Sequence, residues 1–223
     1  MDEILKRNKE LLSQVDAWFS RCMETFPEHI ACQSGCSACC RGTFDITLLD
    51  AYYLKRGFDA LPVPVKDEVL AKCRERLTSM REHWPELDHP FVLNYRPEED
   101  WELLMPDEDE TPCVLLGDDG RCLVYENRPM TCRLHGIPLI DTEGEVMHDE
   151  WCTMNFTDVD PLALAGLTTP FDAIFREEVA LFRDFTGQLL GRRVSELDTF
   201  IPLALLIDFA GFDWKRWAEE GGE

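Results

Sequence analysis

Apolar residues recur along this chain mainly at helical spacing. Leu11, Val15, Trp18, Phe19, Cys22, Met23 and Phe26 share one face and predict an amphipathic helix over residues 3–27. A second helix starts from Thr47 as N-cap, with Asp50 three residues on as a capping-box acid. It carries Leu48, Leu49, Tyr52, Tyr53 and Leu54 and ends near Gly57. After Pro62 and Pro64, a third runs over 65–83 with Val69, Leu70, Cys73, Leu77 and Met80 as its stripe. Phe171, Ile174, Phe175, Val179, Phe182, Phe185 and Leu189 form another, and Leu197 to Phe209 a last one. Cys22 and Cys73 sit inside apolar stripes and read as small buried hydrophobes.

The middle of the chain breaks this rhythm. Residues 85–112 are rich in proline and acid (Pro97-Glu98-Glu99-Asp100, Asp107-Glu108-Asp109-Glu110) and read as a solvated connector without the spacing of a calcium loop. Cys113-Val-Leu-Leu and Arg121-Cys-Leu-Val-Tyr flank Gly117-Asp118-Asp119-Gly120, a hairpin signal that would set Cys113 and Cys122 facing each other. Asn127-Arg128-Pro129 opens a short helix just before Cys132. A second hairpin turns at Asp141-Thr-Glu-Gly144 and leads into Trp151-Cys152. The expected fold is mainly α with two small β-hairpins, an α+β arrangement. It forms one domain over 1–223, with a helical C-terminal part at 160–218 and a cysteine-lined metal centre between the N- and C-terminal helices.

Charge narrows the partners. Of 223 residues, 44 are acidic and 22 basic, a net −22 that opposes nucleic acid and anionic membranes. The most hydrophobic run, Phe200 to Phe209, contains Pro202 and Asp208 and falls short of the ~18 residues of a membrane helix. The amphipathic start MDEILKRNKELL lacks the apolar run and cleavage site of a signal peptide. A cytoplasmic, reducing location is the expectation. There, ten cysteines point to metal or catalysis rather than disulfides.

Eight of those ten form a pattern. Cys32, Cys36, Cys39 and Cys40 read C-x3-C-x2-C-C on a loop of small residues, and Cys113, Cys122, Cys132 and Cys152 follow. Soft thiolates on a short, closely wrapping backbone suit zinc or an iron–sulfur cluster. Cys39 and Cys40 diverge on extended backbone, so the eight divide naturally into two sets of four. Two zinc sites, two cubane clusters, or one cluster with spare ligands all satisfy that count. Arg41, Arg121 and Arg133 adjoin cysteines and Arg128 lies close by, offering N–H donors to sulfur or to an acidic substrate. His135 and His148 lie near Cys132 and Cys152 as further ligands or proton donors. The chain has neither zinc-ribbon pairs nor the bacterial ferredoxin run, and it lacks dinucleotide, P-loop and nucleophile-elbow motifs.

Cys32-QSG-Cys36-SA-Cys39-Cys40-Arg41, then Cys113-VLL, Cys122-LVY-ENRP and Thr131-Cys132-Arg133, resembles the YkgJ-type cysteine-cluster family. This is the zinc- or iron-chelating CxxCxxCC domain, which also includes the flagellin lysine N-methylases. The resemblance spans residues 30–152. It implies that these cysteines chelate iron as an iron–sulfur cluster, or zinc, with Arg128 and Arg133 in the same signature. The methylase branch implies an S-adenosylmethionine-linked reaction, for which the chain shows no recognisable binding motif. The resulting expectation is a [4Fe–4S] protein, with one cluster or two, that has a redox or protein-modifying role. Its partner would be a protein substrate or a redox protein. The alternatives are a structural zinc protein and a methyltransferase-like enzyme; no residue is assigned to catalysis.

Overall fold

The N-terminal stripe folds as expected. A computed structural model describes residues 1–106 and 108–220. In chain order it has α1 (Asp2–Thr25), β1 (Asp45–Thr47), α2 (Leu48–Asp59), α3 (Val63–His83), α4 (Glu98–Glu102), α5 (Met130–Leu134), β2 (Leu139–Ile140), β3 (Val146–His148), α6 (Phe171–Leu190), β4 (Asp198–Phe200), α7 (Ile201–Ala204) and α8 (Trp214–Glu219). Single 3-10 turns lie at Tyr125–Asn127 and Pro161–Ala163. The fold is thus mainly helical with two small two-stranded antiparallel sheets.

The chain divides into two compact units. The first comprises Met1–Cys39 and Met130–Leu181, the second Cys40–Pro129 and Phe182–Glu223. In the first unit α1 buries Leu11, Leu12, Val15 and Trp18. The Trp18 indole N–H donates to Leu167 O at 2.6 Å, and its ring meets Phe171 edge-on at 4.9 Å. Helix α5 packs on α1, where buried Arg133 pairs with Asp16. The β2–β3 hairpin turns at 141–145, and Asp141 Oδ2 accepts the N–H of Asp172 in the first turn of α6 at 3.0 Å. That bond satisfies an orphan amide of α6 and holds the Asp141 carboxyl below the usual range.

In the second unit Thr47 caps α2 as read, accepting from Asp50 N–H at 3.2 Å. Helices α2 and α3 both pack on α7. Gly57 lets α2 lie against Asn127: a Cβ there would come within 2.5 Å of the Asn127 side chain, whose Nδ2 donates to Tyr53 O at 3.2 Å. Strands β1 and β4 pair Asp45 with Phe200 and Thr47 with Asp198.

Three local expectations change. The reversal at Gly117–Gly120 forms, but its flanks make a single bridge, Leu116 to Cys122, so Cys122 faces Leu116 rather than Cys113. The second sheet is instead the long-range β1–β4 pair. Leu197–Phe209 is not one helix: Asp198 is drawn into β4 by pairing and by Asn94, and α7, with Pro202 in its first turn, lasts four residues. The acidic connector is partly core, because Leu87, Phe91, Val92, Leu93, Trp101 and Leu104 are buried despite the surrounding carboxylates. Asp107 of that stretch lies outside the described residues.

Candidate metal centre

In the first unit the loop after α1 turns through a Cys36 N–H to Gln33 O bond of 2.9 Å and presents Cys32, Cys36 and Cys39. A second segment reaches Cys32 from far along the sequence. Gly136, at φ +113°, sits where an added Cβ would lie 3.7 Å from Cys32 Sγ and 3.9 Å from Cys152 Cβ. The Gly136 carbonyl accepts from Cys152 N–H at 3.4 Å and from Asn155 Nδ2 at 2.7 Å. Asn155 Nδ2 also donates to Cys32 Sγ at 3.4 Å, while its Oδ1 accepts from Ala31 N–H at 2.8 Å. Burial raises the Cys32 thiol pKa, the Asn155 hydrogen bond lowers it, and the charges of Cys152, Cys36 and Cys39 raise it again. Three further sulfurs of the expected ligand pool thus lie near enough for their charge to act on Cys32. Cys132 lies in α5 of the same unit, directly before Arg133.

The second unit holds Cys40, Cys113 and Cys122. Cys113 N–H donates to Cys40 O at 2.9 Å, beside a bridge between Arg41 and Pro112. Arg76 ties Thr43 to Asp109 across the same ribbon, at 2.5 Å to the carboxylate. Burial raises Cys122, while the Val124 N–H and the Arg128 charge lower it. A cavity of about 10 Å³ beside Cys113 has the size of one water. The partition between units falls on the Cys39–Cys40 peptide bond.

Burial separates the two stripe cysteines from the other eight. Cys22 and Cys73 are fully buried, as their positions on helices predicted; the other eight cysteines all keep some exposure. Cys73 lies close enough to Cys113 for the latter's charge to act on it, and burial dominates in pushing its pKa up to about 12.

The arginines go separate ways. Arg128 stacks on Tyr125 with 3.8 Å from guanidinium to ring and also acts on Cys122. Arg41 pairs with Glu110 at 3.5 Å, and Arg133 with Asp16. Arg121 is exposed, its backbone N–H bonded to Asp119. His135 and His148 neighbour each other, and burial first, then His148, holds His135 below its ordinary pKa.

Among the described residues, no three His, Cys, Asp or Glu side chains close on one point as a finished metal site. The donor chemistry nevertheless fits a thiophilic metal: sulfur ligands, an amide N–H aimed at Cys32 and a backbone N–H at Cys122. Sequence reading missed Asn155, Gly136 and Asp16; the spacing Cys152-x-x-Asn155 is the one local hint.

Among the described residues, no helix is long and apolar enough to cross a membrane. No curated protein and no solved structure matches the chain. A family model, CxxCxxCC, with the description "Putative zinc- or iron-chelating domain", matches residues 31–153. That match begins beside Cys32, ends beside Cys152 and covers more than half of the sequence, so the chain belongs to the CxxCxxCC family of zinc- or iron-chelating domains.

Proposed function

We propose that this protein carries an iron–sulfur cluster, a [4Fe–4S] centre, on Cys32, Cys36, Cys39 and Cys152. Cys40, Cys113, Cys122 and Cys132 complete the ligand pool, and the role is cytoplasmic redox chemistry or protein modification with a protein partner. The observation that carries the reading is the meeting at Gly136 of Cys32 and Cys152, residues 120 positions apart in the sequence. An all-sulfur donor set without histidine is the ligation such clusters use, and the bound cluster supplies one-electron transfer. The chain's own part is to orient and tune. Asn155 donates to the Cys32 sulfur and Val124 N–H to that of Cys122, and hydrogen bonds to ligand sulfur shift a cluster's potential. Arg128 places positive charge beside Cys122, offsetting negative charge on its thiolate.

The same four sulfurs also match a closed tetrahedral zinc site, which would make the metal structural. Protein purified without oxygen distinguishes the readings. A brown product with iron and acid-labile sulfide in equal amounts, lost on Cys32→Ser and on Cys152→Ser, is the expected result. A colourless, sulfide-free product holding stoichiometric zinc rejects the cluster.

A further inference from the structure

Away from the candidate thiols, a cleft of about 710 Å³ opens in the second unit between α2, α3 and the segment 205–210. Small-molecule sites commonly enclose roughly 300–1,000 Å³. Its apolar lining includes Phe58, Leu70, Leu205, Ile207 and Phe209. Four cations, Lys55, Arg56, Lys66 and Arg74, line it as well, in a chain whose net charge is −22.

Their engagements differ. Lys55 pairs with Asp59 at 2.6 Å, and Lys66 Nζ donates to Asp59 O at 3.1 Å. Asp67 and Asp208 also line the cleft, and the Asp208 carboxylate accepts from Gly211 N–H at 2.8 Å. Among the described residues, the guanidinium groups of Arg56 and Arg74 have neither a hydrogen bond nor a carboxylate partner. With twice as many acids as bases, the sequence could readily have supplied such partners. Planar guanidinium forks match carboxylate and phosphate oxygens, so two of them lining one partly apolar cleft suit an organic anion.

We propose that this cleft binds a small organic anion, its phosphate or carboxylate held by Arg56 and Arg74 and its hydrocarbon body lying against Leu70 and Phe209, the half-buried apolar side chains of its lining. The site is distinct from the thiol cluster and does not depend on which metal the cysteines hold.

Calorimetric titration of the full, metal-loaded chain with 1-naphthyl phosphate, 1-naphthoate, 1-naphthol and inorganic phosphate tests it. One or both aromatic anions should bind at a single site at least about tenfold more tightly than naphthol or inorganic phosphate. The tighter of the two identifies the headgroup. Arg56→Gln with Arg74→Gln should weaken that binding at least about tenfold while metal content stays unchanged. The control Arg176→Gln, at an exposed position of α6, should leave it intact. Hydrogen exchange on the unsubstituted chain, independent of how the variants fold, should show probe-induced protection confined to residues 52–74 and 205–210. Equal binding by naphthol, undiminished binding in the double variant, no binding by either anion, or protection elsewhere overturns the proposal.

Discussion

Asn155 Nδ2 donates to Cys32 Sγ at 3.4 Å, joining residues 123 positions apart. The same side chain also fixes Ala31 N–H and Gly136 O, and the residue is 1% exposed. One amide thus holds together the three segments that converge on Cys32.

Replacing it should therefore affect both fold and metal. Asn155→Ala leaves buried partners unsatisfied and should cost about 2–3 kcal/mol, read from the urea midpoint. Asn155→Asp keeps the acceptor for Ala31 but sets a negative charge beside thiolates, so metal content should fall more than stability does. Unchanged metal content in both variants would show that Asn155 plays no part at the sulfur.

Gly136 is the second point of convergence. At φ +113° and with Cys32, Cys152 and Asn155 all within 4 Å of an added Cβ, Gly136→Ala is strained by the backbone before any crowding. A loss of about 1–3 kcal/mol in thermal or urea unfolding is expected, with weaker metal retention. The control Gly144→Ala also has positive φ but meets nothing within 4 Å, so it should affect stability without affecting metal.

Asp198 should make stability depend on pH. Burial raises its carboxyl, the Asn94 amide lowers it, and Asp45, Glu196 and Glu98 raise it further, leaving it at about 6. An acid raised above its unfolded value stabilises the fold below about pH 4, and that contribution disappears as pH climbs through about 6. Asp198→Asn should remove up to about 3 kcal/mol of this decline between pH 4 and 7, since one pKa unit is worth about 1.4 kcal/mol. Parallel pH profiles for the two proteins would contradict the assignment.

Cys22 should be chemically silent. Burial pushes its thiol up to about 11, against a small opposing effect of Arg21. Iodoacetamide at pH 8 should label the exposed Cys39 in metal-free native protein and reach Cys22 only after unfolding. Mass spectrometry of tryptic fragments gives the order directly.

Helices α1, α2, α3 and α6 were legible in sequence because their stripes are long and regular, whereas the apolar run Leu197–Phe209 misled. Thr47 capping α2 and the buried Cys22 and Cys73 follow from local spacing alone. The β1–β4 pair was not legible. Each strand has three residues, no turn links them, and the register Asp45 to Phe200 is set by packing across the second unit. The segment around Phe91 and Leu93 is buried without any period, so its acidic neighbours masked it. The cysteines announced metal binding through residue type, whereas Asn155 and Gly136 reach Cys32 only through position in space.

Gly57 and Asn127 are locked by steric fit, which limits how the two sites can vary. Position 57 can gain a methyl group only where residue 127 shrinks or moves, because the Asn127 side chain already fills that space. Among sister chains, bulk at one site should trade against bulk at the other. The arginine–proline pair that follows would then inherit its placement from a helix more than sixty residues upstream.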